Sequence, residues 1–302
     1  IITRFKKDIT YPKFYSYYFN FSVGRHRLKE IETGSTMKHI NVGDMIQILL
    51  PVPSKSEQIE IANALYDTDE LISKLEKLIT KKRAIKQGAM QELLKPKEEW
   101  QTKTLFELAD FKKELFDDGD WVEAEHITNV GVRLIQTGNI SIGKFFDKES
   151  KKYIYEDSFI KLKCKSLIVG DLLICRLADP AGRACVFPQI GEIKVVTSVD
   201  VTIFRPRKEI ADRVFLANLF STSDWFKAVA ERVGGTTHKR ISRGALGKIL
   251  ISLPNINEQT RIAKILSDMD SEIESLERKL EKYELLKQGM MQNLLTGKIR
   301  LA

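Results

Sequence analysis

One relation inside this chain limits its fold more than any other: residues 34–94 return as residues 235–295 with a constant offset of 201 and no gap. Gly34-Ser35-Thr36-Met37-Lys38-His39-Ile40 becomes Gly235-Thr236-Thr237-His238-Lys239-Arg240-Ile241, and Lys86-Gln87-Gly88 becomes Lys287-Gln288-Gly289. Of the 61 aligned pairs, 26 are identical. A chain built this way folds as two copies of one unit, which a pseudo-two-fold axis can relate, and it suits a partner that is itself in two parts, such as duplex DNA with two half-sites. Ile1 aligns with Thr202, so the first copy begins partway through the unit and has no counterpart of roughly residues 98–201. The chain opens on Ile with no signal-peptide core, and it reads as a fragment or a processed form.

The repeat contains one long helical segment. Ser54 precedes Glu57 by three residues, just after Pro53, which is the spacing of a capping box; Asn255 and Glu258 after Pro254 repeat the logic with another cap. Apolar residues then recur at alternating three and four. In the first copy the seam is Ile72, Leu75, Ile79, Lys82, Lys86, Ala89 and Leu93; in the second it is Ile273, Leu276, Leu280, Tyr283, Lys287, Met290 and Leu294. Helices over 57–94 and its counterpart are about 57 Å long at 1.5 Å per residue. The shared register predicts that they pair with each other, antiparallel, with the seam lysines snorkelling or meeting acids on another helix.

Between the long segments lies a body of a different kind. Leu134-Ile135, Leu172 to Cys175, Ala184 to Phe187 and Val199 to Phe204 read as short strands, with Gly138, Gly143, Gly170, Gly182 and Gly191 as turns. One helix is expected over 213–231. The fold class is therefore α+β: a globular body and the remnant of a first, joined to two long antiparallel coiled-coil helices. The expected divisions are a remnant of a first globular domain at 1–50, a first long helix at 51–97, a second globular domain at 98–250 and a second long helix at 251–302.

Charge narrows the partner. The net charge is +8, but it is uneven: residues 1–97 carry +6, residues 98–234 carry −2 and residues 235–302 carry +4. Nucleic-acid contact must then come from a local patch. Between Glu231 and Glu258 there is no acid, while Arg232, Lys239, Arg240, Arg243 and Lys248 are all basic. No apolar run approaches the ~20 residues that cross a membrane. Cys164, Cys175 and Cys185 form no metal or redox spacing and read as buried inert thiols in a reducing compartment.

No catalytic constellation stands out. His26, His39, His126 and His238 have no metal spacing, and no phosphate-binding glycine loop is present. Asp179-Pro180-Ala181 reads as a turn, and Glu123 and Glu125 as a solvated strand edge. The sharpest local signal is the recurring Gly-Thr-Thr-His-Lys-Arg-Ile-Ser loop. Its glycines permit a tight turn, Thr236 and Thr237 offer hydroxyls, and Lys239 and Arg240 offer charge for phosphates or a guanine edge. Thr36, Lys38 and His39 are the first-copy counterparts, and His238 and Arg243 complete the second-copy set. Gln136, Thr137 and Asn139 carry groups suited to base edges, and Arg176 and Arg183 flank a glycine turn. Surface turn chemistry is the alternative for both of these last groups.

With these residues assembled, the chain resembles the specificity subunit of type I restriction–modification enzymes. The resemblance rests on Pro53 to Gln58 and Pro254 to Gln259, each followed by Ile-Ala (Ile61-Ala62, Ile262-Ala263), on Lys-Gln-Gly at both helix ends, and on the final Leu294 to Arg300. Gly235-Thr236-Thr237 and Ile135 to Ile140 resemble stretches of that family's target recognition domains. The resemblance implies two recognition domains that read the halves of a split site, with the helices as spacer. It implies no catalysis and no cofactor in this chain. It also implies methyltransferase subunits that use S-adenosylmethionine and motor–nuclease subunits that use ATP and Mg, all in the cytoplasm. A coiled-coil scaffold without site reading, and a half-subunit that homodimerises, are the rival expectations.

Overall fold

A computed structural model describes residues 5–235 and 239–301. Two helices dominate it. They run from Lys55 to Leu93 and from Ile256 to Leu294, 39 residues each, and their ends differ by the same 201 positions as the sequence repeat. At 1.5 Å per residue each is about 58 Å long. Ser54 Oγ accepts from the Glu57 N–H at 3.3 Å, and Asn255 Oδ1 accepts from the Glu258 N–H at 3.0 Å. Both predicted caps therefore form, each satisfying one orphan donor of the first turn. No described helix is long and apolar enough to cross a membrane.

The chain divides into two compact units, residues 1–84 with 270–302, and residues 85–269. Sequence reading placed the divisions at 50, 97 and 250 instead; in the structure each long helix contributes to both units.

In the first unit the early part of the first long helix runs antiparallel to the late part of the second. Asp69 meets Lys287 at 2.5 Å, whereas Lys82 and Arg83, further along the first helix, meet the earlier residues Glu272 and Glu277 of the second, both at 2.6 Å. Two of these cations are the predicted seam lysines, and each meets an acid on the facing helix. Leu75, Ile79 and Ile273 are buried along the seam, whereas Ile72, Leu276, Leu280 and Tyr283 are half-buried. The seam is thus apolar over a short stretch and ionic beyond it. Helix Pro12–Asn20 packs Phe14, Tyr15 and Tyr18, and helix Ser22–Glu30 packs Val23, onto Ile61, Ala62, Leu65, Leu294 and Leu295.

In the second unit the end of the first long helix lies beside the start of the second. Leu94, with Leu93 half-buried next to it, shares a core with Ile262, Ala263 and Leu266, and Lys97 meets Glu258 at 3.1 Å. Around them lie two four-stranded sheets. One orders the strands Phe116–Asp118, Val201–Phe204, Leu172–Cys175 and Ala184–Val186, all antiparallel. The other orders Val195–Thr197, Val132–Ile135, Lys152–Ile154 and Ile127–Thr128, with its first pair parallel.

Two local expectations change. The helix expected over 213–231 is two, Arg213–Leu219 and Ser223–Ala230, because the Thr222 side chain accepts from the Trp225 N–H and starts a new helix. Glu123 and Glu125 lie at a short 3-10 turn, Ala124–His126, and not on a strand.

Candidate nucleic-acid interface

The recurring loop is closed by an antiparallel pair at matching positions in both copies. In the first unit Glu32–Thr33 pairs antiparallel with His39–Ile40, matching Thr33 to His39. In the second unit Gly234 and Arg240, the residues 201 positions on, exchange both backbone hydrogen bonds at 3.0 Å. Gly34 and Gly235 take φ of +103° and +100°. A side chain at Gly34 would run into the Met37 carbonyl, so this turn requires glycine. Thr36, Lys38 and His39 are exposed at the first tip, with Met37 83% exposed. Lys38 lies 3.7 Å from Glu32. Thr236, Thr237 and His238 lie outside the described residues; Lys239, which follows them, is exposed.

The second hairpin is tied to a neighbouring turn. The Ala178 N–H donates to the Lys239 carbonyl and the Ile241 N–H donates to the Arg176 carbonyl, both at 3.0 Å. Arg183 extends this connection. Its guanidinium donates to the carbonyls of Ile140 and Pro180 at 3.0 Å and of Thr137 at 3.4 Å. The Gln136–Asn139 turn, the Leu177–Gly182 turn and the hairpin thereby form one hydrogen-bonded region.

Several chosen side chains nevertheless face inward. Arg176 is 2% exposed. It meets Asp118 at 2.9 Å and donates to the carbonyls of Val199 at 2.6 Å and Ile241 at 3.1 Å. Burial pulls its guanidinium below the usual arginine range. Asn139 is 3% exposed; it accepts from the Gln136 N–H and donates to the Phe146 carbonyl, both at 2.9 Å. Buried polar groups are spent on internal partners, so Arg176, Arg183 and Asn139 shape the surface rather than present themselves on it. Gln136 and Thr137 are half-exposed.

The remaining arginines sit over a band of carboxylates. Arg240 lies 2.9 Å from Asp200, Arg243 contacts Asp117, and Lys165 reaches Asp117 at 2.9 Å and Asp120 at 3.7 Å. Desolvation raises the Asp120 carboxyl above its ordinary range. Lys165 and the carboxylates carried no sequence signal that joined them to the loop. The local basic run at 232–248 is therefore partly neutralised from distant strands, leaving Lys239 and Lys248 exposed at its edge.

Among the described residues no group of His, Cys, Asp and Glu is placed to hold a metal. The three thiols are free and buried, and burial pushes Cys164 up to about 11 and Cys185 up to about 12. They stay protonated near neutral pH, as structural thiols do.

Comparison with known proteins places the chain among specificity subunits. A family described as "Type I restriction modification DNA specificity domain" matches residues 2–87 and 97–285. The type I restriction enzyme MjaVIII specificity subunit of Methanocaldococcus jannaschii is 28% identical over 297 residues, covering 91% of this chain and 67% of that protein. A putative MjaX specificity subunit of the same organism is 28% identical over 277 residues, covering 87% and 62%. The chain thus spans about two thirds of the length of these relatives. Among solved structures, the type I restriction–modification S subunit from M. genitalium aligns with a TM-score of 0.60 at 16% identity, covering 96% of this chain and 74% of that one. The HsdS subunit from Thermoanaerobacter tengcongensis aligns with a TM-score of 0.52 at 15% identity, covering 97% and 72%.

Proposed function

Because the chain belongs to the family of type I restriction–modification DNA specificity domains, we propose that it is a non-catalytic reader of a split DNA site. It works in the cytoplasm and docks methyltransferase subunits, with motor–nuclease subunits completing the complex. S-adenosylmethionine, ATP and Mg belong to those partners. The observation that carries the reading is the hairpin that recurs in each unit with the same pairing and the same positive-φ glycine. Its backbone amides, hydroxyls and lysines suit phosphates and base edges. Lys38 and Lys239 supply exposed charge, while Arg240 exchanges its pairing with Asp200 for a base or a phosphate. The long helices act as the spacer between the two reading ends.

A second reading is that the described residues carry only part of the site. Among described residues 5–54 the strands are two residues long, against ten described strands in three sheets in the second unit. In that reading the chain reads one half-site, or serves as a scaffold alone.

Selection of bound duplexes from a random library separates the readings. It is run with methyltransferase partners present, at about 50 and about 200 mM salt. Two enriched half-sites around a fixed gap are the expected result. One half-site assigns reading to residues 98–250 alone. Binding without enrichment leaves the scaffold and overturns the proposal. Lys239→Ala weakens all sequences evenly, whereas Arg240→Ala relaxes preference at one position by about 1–3 kcal/mol if that arginine reads a base. Unchanged binding in both variants removes the hairpin from the interface.

A further inference from the structure

Arg240 and Asp200 come from separate segments of the second unit and are held opposite each other by one residue. The Arg176 N–H donates to the Asp200 carbonyl at 2.8 Å, and the Arg176 carbonyl accepts from the Ile241 N–H at 3.0 Å. Its buried guanidinium repeats the link through the carbonyls of Val199 and Ile241, the chain neighbours of Asp200 and Arg240. Each segment is also closed on itself. The Val201 N–H donates to the Ser198 carbonyl at 3.0 Å, and Gly234 and Arg240 exchange both backbone bonds. The meeting of the two side chains is therefore built into the main chain, unlike a chance surface ion pair, which is worth little.

The contact itself is close but misaligned. Arg240 Nε lies 2.9 Å from Asp200 Oδ1, yet both atoms are buried and neither makes a hydrogen bond. The side chains remain 38% and 24% exposed. Among the described residues no protein group bonds the Nη nitrogens of Arg240 or Oδ2 of Asp200. A donor fork and an acceptor thus stand side by side, next to the exposed Lys239. The neighbouring pair differs. Asp117 is shared between Arg243 and Lys165 and is 12% exposed, so its charge is already matched within the protein.

We propose that Arg240 and Asp200 together read one G·C base pair from the major groove, an inference that rests on the hairpin reading DNA. The arginine forks onto guanine N7 and O6, and the carboxylate accepts from the cytosine N4 amino group. Guanine O6 and cytosine N4 are Watson–Crick partners about 2.9 Å apart. The edge of the base pair therefore carries an acceptor and a donor at the spacing of the protein's donor and acceptor. The exchange needs both halves. Once Arg240 turns to guanine, Asp200 is a half-buried anion left without its ion pair, which is costly unless a donor reaches it. A phosphate repels it. An A·T pair offers the fork only thymine O4, beside a methyl group, instead of two acceptors in a row. The carboxylate thus adds rejection of the backbone to the arginine's preference for guanine.

The test uses the chain with its methyltransferase partners and the site enriched from the random library, with analogues placed singly at each G·C pair. 7-Deazaguanine removes the N7 acceptor, and N4-methylcytosine fills the groove side of the amino group. Inosine, which lacks only the minor-groove amino group of guanine, is the control. At one G·C pair 7-deazaguanine and N4-methylcytosine each weaken binding of the unaltered protein by about tenfold, and inosine leaves it unchanged. Arg240→Ala removes the sensitivity to 7-deazaguanine at that pair, and Asp200→Ala the sensitivity to N4-methylcytosine. Variants that bind every duplex less well but keep both sensitivities have lost only stability, and that result overturns the proposal. An enriched site with no G·C pair sensitive to both analogues overturns it too, while leaving the hairpin as a DNA contact. No enriched site at all removes the reading of DNA together with it.

Discussion

Gln58 and Gln259 sit at the same turn of the two long helices and make the same three hydrogen bonds. Gln58 accepts from the Tyr11 N–H at 2.7 Å and donates to the carbonyls of Ile9 at 3.0 Å and Pro53 at 2.9 Å. Gln259 accepts from the Asp212 N–H at 3.0 Å and donates to the carbonyls of Ile210 at 3.0 Å and Pro254 at 2.8 Å. Every partner is displaced by 201 positions. Both amides are at most 1% exposed, and both back onto an Ile-Ala-x-x-Leu face. The residues beside them are held differently. Glu57 accepts from Arg300 Nε and Nη2, both at 2.5 Å, whereas Glu258 accepts from Lys97 Nζ at 3.1 Å. The comparison teaches that the helix entry is set by a short local motif that needs only burial to form. The surroundings depend on which distant segment arrives.

The largest test of the equivalence is in the cores. Phe14 and Phe215 occupy matching positions at 1% and 0% exposure. Phe14→Ala and Phe215→Ala should each cost about 3–5 kcal/mol in denaturant melts. A first-unit cost far below the second would break the match and show a looser core. Next, Gln58→Leu and Gln259→Leu should each destabilise by about 2–4 kcal/mol, because a buried N–H and two carbonyls lose their partner. Equal losses sharpen the comparison; loss at Gln259 alone would show that only the second entry is structurally required.

Smaller effects belong to the ion pairs. Lys287→Ala removes the contact with Asp69 and should cost about 0–1 kcal/mol, since the lysine side chain is 29% exposed. A cost above 2 kcal/mol would mean the seam lysine stabilises by packing as well as charge. The smallest effect is a pH dependence. Hydrogen bonding from Arg300 holds the Glu57 carboxyl below its ordinary range. Its folded value being depressed, the contribution is present above the unfolded glutamate value of about 4.3 and is lost as pH falls through the folded value. Arg300→Ala should flatten that acid limb of the melt. An unaltered limb would assign it to other carboxylates.

Some strands were readable because they are apolar throughout: Leu172–Cys175 was marked by composition alone. Others were not. Phe116–Asp118 carries two aspartates, and Gln101–Thr104 is wholly polar. They are strands because Val201–Phe204 and Leu250–Leu253 lie beside them, not because of any pattern of their own. The candidate interface divided the same way. The hairpin was legible from its glycine and its recurrence, whereas the direction each arginine faces was not.

What the sequence by itself determined is the repeat, its register, the caps and length of the two helices, and the turn that a glycine must make. These depend on residues within a few positions of one another. Only the tertiary structure decided which cations face solvent. Arg176 reads like Arg240 in the chain, yet its partners Val199 and Ile241 lie 23 and 65 residues away. A buried guanidinium is stable only where carbonyls and a carboxylate converge on it, and that convergence exists only in the folded protein.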